Sequence, residues 1–155
     1  MRTLFHFFLF LLGTWQAIAQ TYPVQVVPVL TPPYSSKIAD YANPMANRVQ
    51  LQVITTDLSV QNRSVQLYVE IKGNGFTAAS VPVLSGVSPL RISGGEILRL
   101  TNAELAPYFQ LRNLQGISSE QYASPLPDGV YTFCFRVRDV LSGRWLSQHQ
   151  CTVAY

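Results

Sequence analysis

Histidine is the side chain that most readily does acid–base chemistry at neutral pH. Beyond residue 19 the sequence holds one, His149, between Gln148 and Gln150. A Ser-His-Asp relay needs a nucleophile and an acid fixed around the imidazole. The local pattern supplies neither, so His149 reads as an exposed strand residue. A tetrahedral zinc site needs four ligands, which one histidine and two cysteines, Cys134 and Cys151, cannot complete. The aspartates at 40, 57, 128 and 139 are dispersed, each near a turn, where a short carboxylate bonds to nearby backbone amides. Gly73-Asn74-Gly75-Phe76-Thr77-Ala78 matches the dinucleotide pattern G-x-G-x-x-G/A. That pattern requires a helix next, and Val81-Pro82-Val83 cannot extend one, so the segment reads as a loop. The expectation is a protein that is not an enzyme, with no catalytic residues, metal or cofactor.

Recognition chemistry is better represented. Arg136, Arg138 and Arg144 fall on or beside the last hairpin, opposite in phase to its aromatic face. Guanidinium groups so placed suit an acidic glycan or a partner's carboxylates. Tyr34 and Tyr41 lie in a connection, where tyrosine gives rigid amphipathic contact area. These five residues are the candidate surface contacts.

Strands must position them. Val24–Leu30 is apolar but carries Pro28, which suits an edge strand. Val49, Leu51 and Val53 alternate with Gln50 and Gln52, and Val65, Leu67, Val69 and Ile71 alternate with Gln66, Tyr68, Glu70 and Lys72. Period two buries one face of a strand. With the polar turn Asp57–Asn62 between them, the two runs read as an antiparallel hairpin. Shorter apolar pieces follow at Val81–Leu84, Leu90–Ile92 and Ile97–Leu100. Thr101-Asn102-Ala103-Glu104 fits a capping box ahead of a brief helix that Pro107 limits, and Ser118–Gln121 suits another single turn. Leu126-Pro127-Asp128-Gly129 is a turn, after which Tyr131, Phe133, Phe135 and Val137 alternate with Thr132, Cys134, Arg136 and Arg138. Many short strands with regular turns and almost no helix predict an all-β fold. The expected architecture is an immunoglobulin/fibronectin-like antiparallel β-sandwich with one or two single-turn helices.

The two cysteines test the last hairpin. If Ser142 and Gly143 are the central pair of a two-residue loop, Cys134 faces Cys151 directly. Matching of apolar residues prefers a register one residue away, with Cys151 opposite Phe133, which a three-residue loop with a left-handed Gly143 would produce. A bulge reconciles the two, and both registers stay open. An oxidising compartment favours a structural disulfide over two buried thiols.

The compartment is read from residues 1–19. Arg2 provides a positive start, Leu4–Leu12 an apolar stretch broken only by His6, and Ala17-Ile18-Ala19 a small-x-small cleavage site. The stretch is shorter than the roughly 20 residues a spanning helix needs, and Gln20 occupies the position a lipoprotein gives to cysteine. The reading is a cleaved signal peptide followed by one β-sandwich domain, residues 20–155. With Arg2 gone, ten basic residues oppose eight acidic ones, scattered rather than striped, so no nucleic-acid partner is expected. Apolar content of 48% with 12% charged residues excludes a disordered chain.

An ordered series of segments adds to this. Gln20-Thr21-Tyr22-Pro23-Val24-Gln25-Val26, Pro32-Pro33-Tyr34-Ser35, Leu98-Arg99-Leu100-Thr101-Asn102, Pro107-Tyr108-Phe109-Gln110, Leu126–Tyr131, Phe133-Cys134-Phe135 and Leu141-Ser142-Gly143 run through the chain to Cys151. In that order they resemble the TANFOR-type N-terminal domain of secreted Bacteroidetes surface proteins. The resemblance implies an all-β module at the head of a long envelope protein, often with fibronectin-like repeats downstream. It implies no catalysis and brings no established binding residues. The functional expectation is a non-enzymatic exported interaction module of the periplasm or cell surface. It would bind protein or glycan through loops or an edge strand, without membrane insertion. The alternative is a structural spacer that packs on downstream domains and has no ligand.

Overall fold

Alternating side chains decide the architecture, because each period-two run buries one face and must find a second sheet to cover it. The computed structural model describes residues 21–35, 37–73, 76–80, 87–110, 114–115 and 129–154. The leader-like residues 1–19, the Val81–Leu84 piece, the Ser118–Gln121 turn, and most of the turn ending at Gly129 lie outside them.

The chain is an all-β antiparallel sandwich. Strands β1 (Val24–Leu30), β2 (Val49–Thr55) and β6 (Ile97–Leu100) form a three-stranded sheet in the order β1-β2-β6. The larger sheet runs β7-β4-β3-β8-β9, from β7 (Leu114–Gln115), β4 (Phe76–Ser80), β3 (Arg63–Gly73), β8 (Tyr131–Asp139) and β9 (Gln150–Ala154). Strand β5 (Leu90–Ile92) joins it by pairing with the first residues of β3. Both sheets turn their alternate residues inward. Val24, Val26, Val49, Leu51, Val53 and Leu100 of one face Val65, Leu67, Val69, Ile71, Phe133, Phe135 and Val137 of the other. Each such side chain contributes about 1.5–3 kcal/mol by burial.

Three expectations change. The runs at 49–53 and 65–71 are both strands but not a hairpin: β2 pairs with β1 and β6, and β3 with β4, β5 and β8. Residues 57–62 cross from one sheet to the other. Val60 is buried, its carbonyl accepting the Gly94 amide, and a Cβ on Gly94 would stand 2.5 Å from the Leu58 Cα. Alternation is the same whether two strands pair edge to edge or pack face to face, so the pattern does not separate these outcomes. Second, Gly73–Ala78 is strand on both flanks rather than loop, with Gly73 paired to Phe76.

Third, of the two short helices one lies where none was expected and the other exceeds a single turn. Helix α1 (Ile38–Ala42) occupies what reads as a plain connection, and α2 (Asn102–Phe109) has two turns. The α2 start follows the capping box: the Thr101 amide and hydroxyl both donate to the Glu104 carboxylate, at 2.7 and 2.9 Å. The helices close one end of the sandwich. Phe109 stands 5.0 Å from Phe133 and 5.8 Å from Tyr41, whose ring meets Phe133 edge-on at 4.8 Å.

Candidate functional site

The last hairpin gathers several polar side chains on one face. Strand β8 ends in a loop where the Asp139 amide donates to the Arg144 carbonyl and the Gly143 amide to the Asp139 carbonyl. The loop therefore holds four residues, 140–143, with Gly143 at φ +67°, rather than either the two or the three considered from the sequence. Near the loop, Arg138 pairs with Trp145 and the Leu146 amide donates to the Val137 carbonyl. Farther along, Phe135 pairs with Gln150 and Cys134 with Cys151. The return strand thus carries two extra residues between Leu146 and Gln150. The buried Ser147 fills the break, its hydroxyl accepting the Val137 amide at 2.9 Å. This bulge lets a four-residue loop and directly opposed cysteines coexist. Cys134 and Cys151 form a disulfide with Cα atoms 4.0 Å apart, and β9 runs in the first of the two registers.

Arg136 and Arg138 fall on the solvent side of β8, beside Tyr68 and Gln66 of β3. Trp145 lies over this face, with the Arg136 guanidinium 4.1 Å and the Arg138 guanidinium 5.6 Å from its ring centre. Tyr68 meets the indole edge-on at 5.1 Å. Arg136 Nε donates to the Ser147 carbonyl at 3.3 Å and Arg138 Nε to the Gly143 carbonyl at 2.6 Å. Sequence reasoning placed the two arginines on one face but missed Trp145 and Tyr68. Tyr68 reaches the cluster only through the β3–β8 register, which no local pattern encodes.

The remaining candidates separate. Arg144 is exposed at the foot of the loop, and Tyr34 is exposed in its connection. Tyr41 is no surface contact: it is 1% exposed, its ring is in the core, and its hydroxyl donates to the Ser35 carbonyl at 2.9 Å. An aromatic next to turn residues reads as exposed, but here α1 folds it inward. Burial pushes the Tyr41 phenol above its ordinary pKa, and it pushes Tyr108 of α2 up to about 12.

Asp57 and Asp139 serve turns, whereas Asp40, expected near a turn, lies in helix α1. The Asp57 carboxylate accepts the Ser59 hydroxyl and amide at 2.7 and 2.9 Å, which hold it below its ordinary pKa. Asp40 accepts the Ser35 hydroxyl. For Asp139, burial works to raise the pKa but is outweighed by the Leu141 and Ser142 amides and by Arg63 at 3.4 Å, so its pKa is lowered. Among the described residues no three His, Cys, Asp or Glu side chains gather as a metal site would require, and no helix is long and apolar enough to cross a membrane.

A second feature runs along β1. Pro23 pairs with Thr56, and Thr31 with Arg48, through ladder hydrogen bonds to the β2 side. By alternation, the backbone groups of Val24, Val26, Pro28 and Leu30 point away from β2. The Val24 amide donates to the Leu146 carbonyl at 3.1 Å, and beyond it this edge opens onto a cleft of about 550 Å³. Tyr22, Gln25, Val27, Thr56, Gln148 and Gln150 line the cleft. Pro28 sits in the outward phase, where its missing donor costs no ladder bond.

No family model matches the chain, and no curated protein does. One solved structure is similar, that of a FixG-related protein from Vibrio parahaemolyticus. It covers 86% of this chain and 95% of its own at 14% identity, with a TM-score of 0.42, too distant to bear on activity.

Proposed function

We propose that this chain is a non-enzymatic, exported interaction module of the cell envelope that takes an extended partner segment along the open edge of β1. The cleft there carries the reading. Among the described residues the outward edge of β1 beyond Val24 has no ladder partner, and from the closely covered Val26 to the half-buried Pro28 and Leu30 it offers main-chain hydrogen bonds to an added strand. Gln25, Gln148 and Gln150 beside Tyr22 give neutral donors and acceptors for a partner's polar groups, a peptide first and a glycan second. Export is supported by the leader-like residues 1–19 and by a disulfide, which persists in oxidising compartments. The resemblance to TANFOR-type domains supports a role at the head of a larger surface protein.

The test is to screen the full chain against a peptide display library and a glycan array, then follow amide exchange at Val26 and Leu30. Binding should protect these amides. Val26→Pro, in the same phase as Pro28, should abolish binding while retaining a cooperative melt. Ligands that leave β1 unprotected would sink the reading. The second reading, a structural spacer, is favoured by Leu141 at 96% and Leu58 at 73% exposure, apolar side chains that an adjoining domain would cover. A spacer should self-associate and yield no ligand in either screen.

A further inference from the structure

Arg136 and Arg138 are held in a way that fixes their guanidinium planes and leaves their charge unspent. Each gives its Nε to a backbone carbonyl of the return segment, Ser147 and Gly143 respectively. Both guanidiniums lie against one indole, Trp145, which Tyr68 braces from its edge. Among the described residues no carboxylate is within ion-pair distance of either. Asp139 pairs with Arg63, and Glu70, on the same solvent-facing side of the sheet, pairs with Lys72 at 3.0 Å. Two cations therefore stand uncompensated, with their terminal Nη groups available.

We propose that this face is a second recognition site, separate from the β1 cleft, that binds an extended acidic polypeptide segment bearing carboxylates on alternate residues. Arg136 and Arg138 occupy successive outward positions of β8, so their spacing along the strand is its two-residue repeat, about 6.6–6.8 Å. An extended acidic strand repeats its same-side carboxylates at that distance, so each would meet one guanidinium. The planar fork matches a carboxylate with two parallel hydrogen bonds. Because Trp145 and the carbonyls already fix both side chains, little rotamer freedom remains to be lost on binding. The indole is already engaged with Arg136 and Tyr68, so its role is to aim the forks, whereas stacking on a sugar ring would require an open face.

The probe is an alternating Glu-Thr peptide, titrated into the full chain carrying Trp15→Phe so that Trp145 is the remaining indole and its emission reports the site. The peptide should perturb that emission, with affinity falling as salt rises. Arg136→Gln with Arg138→Gln should weaken binding about tenfold or more, and Arg144→Gln less than about twofold. Because both arginines also hold the hairpin, Arg136→Lys with Arg138→Lys serves as a second variant. It keeps the charge and loses the fork, and should give a smaller but clear loss of binding with a melt lowered no further than that of the double Gln variant. The proposal is overturned if a peptide of equal charge with blocked Glu-Glu-Thr-Thr order binds equally well. A sulfated glycan that binds while the alternating peptide is silent overturns it too, as does no response from any probe.

Discussion

The side-chain amide of Asn102 ties the start of α2 to the end of α1 and the start of β2, more than 50 residues upstream. Its Oδ1 accepts the Arg48 and Val49 amides at 2.9 and 3.0 Å, and its Nδ2 donates to the Tyr41 and Asn43 carbonyls at 3.2 and 2.7 Å. The residue is 2% exposed. Asn102→Ala would strand two fully buried groups, the Val49 amide at the start of β2 and the Tyr41 carbonyl in α1, each costing about 1–3 kcal/mol. A total loss of about 3 kcal/mol is expected, measured by urea unfolding, with the Cys134–Cys151 bond intact. The sequence shows Asn102 only as part of the capping-box motif, because its partners lie more than 50 residues upstream. Arg136 and Arg138, by contrast, were legible as a pair from strand phase alone. The indole that organises them was not.

At the scale of elements, the return from β8 to β9 is the most informative. The opposed cysteines follow from residue numbers under a two-residue loop, and the opposition is real although the loop is not. The four-residue loop and the two extra residues at 148–149 offset one another, leaving the cysteines aligned. Deleting Gln148 and His149 should carry the register set by Arg138 and Trp145 straight into the one that pairs Cys134 with Cys151. The variant should form the same disulfide, seen by non-reducing peptide mapping, with stability within about 1 kcal/mol. It should also lose ligands of the β1 cleft, since Gln148 lines it. A mispaired or reduced product would show that the bulge is needed to align β9. Strands, their inward faces and the α2 cap were readable because they depend on local periodicity and spacing. The partition of β2 and β3 between sheets was not, because it depends on which distant strand each meets.

For the whole molecule, opposite ionisations bound the pH range of stability. Asp139 and Asp57 have pKa values below their ordinary 3.8 in the folded chain. A lowered carboxylate pKa contributes stability that is present above the unfolded value and lost as pH falls through the folded one. Tyr108 works in the other sense. Its stabilising effect is complete below the ordinary phenol value of 10.0 and is lost as pH rises toward about 12. Tyr41 shifts in the same direction. A chemical-denaturation series across pH should therefore show a plateau between these limits. Tyr108→Phe should flatten the alkaline limb, and Asp139→Asn the acid one. An alkaline limb unchanged by Tyr108→Phe would place that titration elsewhere.

The central position of β3 also governs when the molecule can come into being. Leu67, Val69 and Ile71 complete their sheet only against Val137, Phe135 and Phe133, so most of the chain must be synthesised before that ladder can close. Non-local pairing of this kind folds slowly, on the order of milliseconds to seconds. A chain emerging from the ribosome therefore stays open until nearly its last strand, which is the state a translocation channel that threads unfolded polypeptide requires.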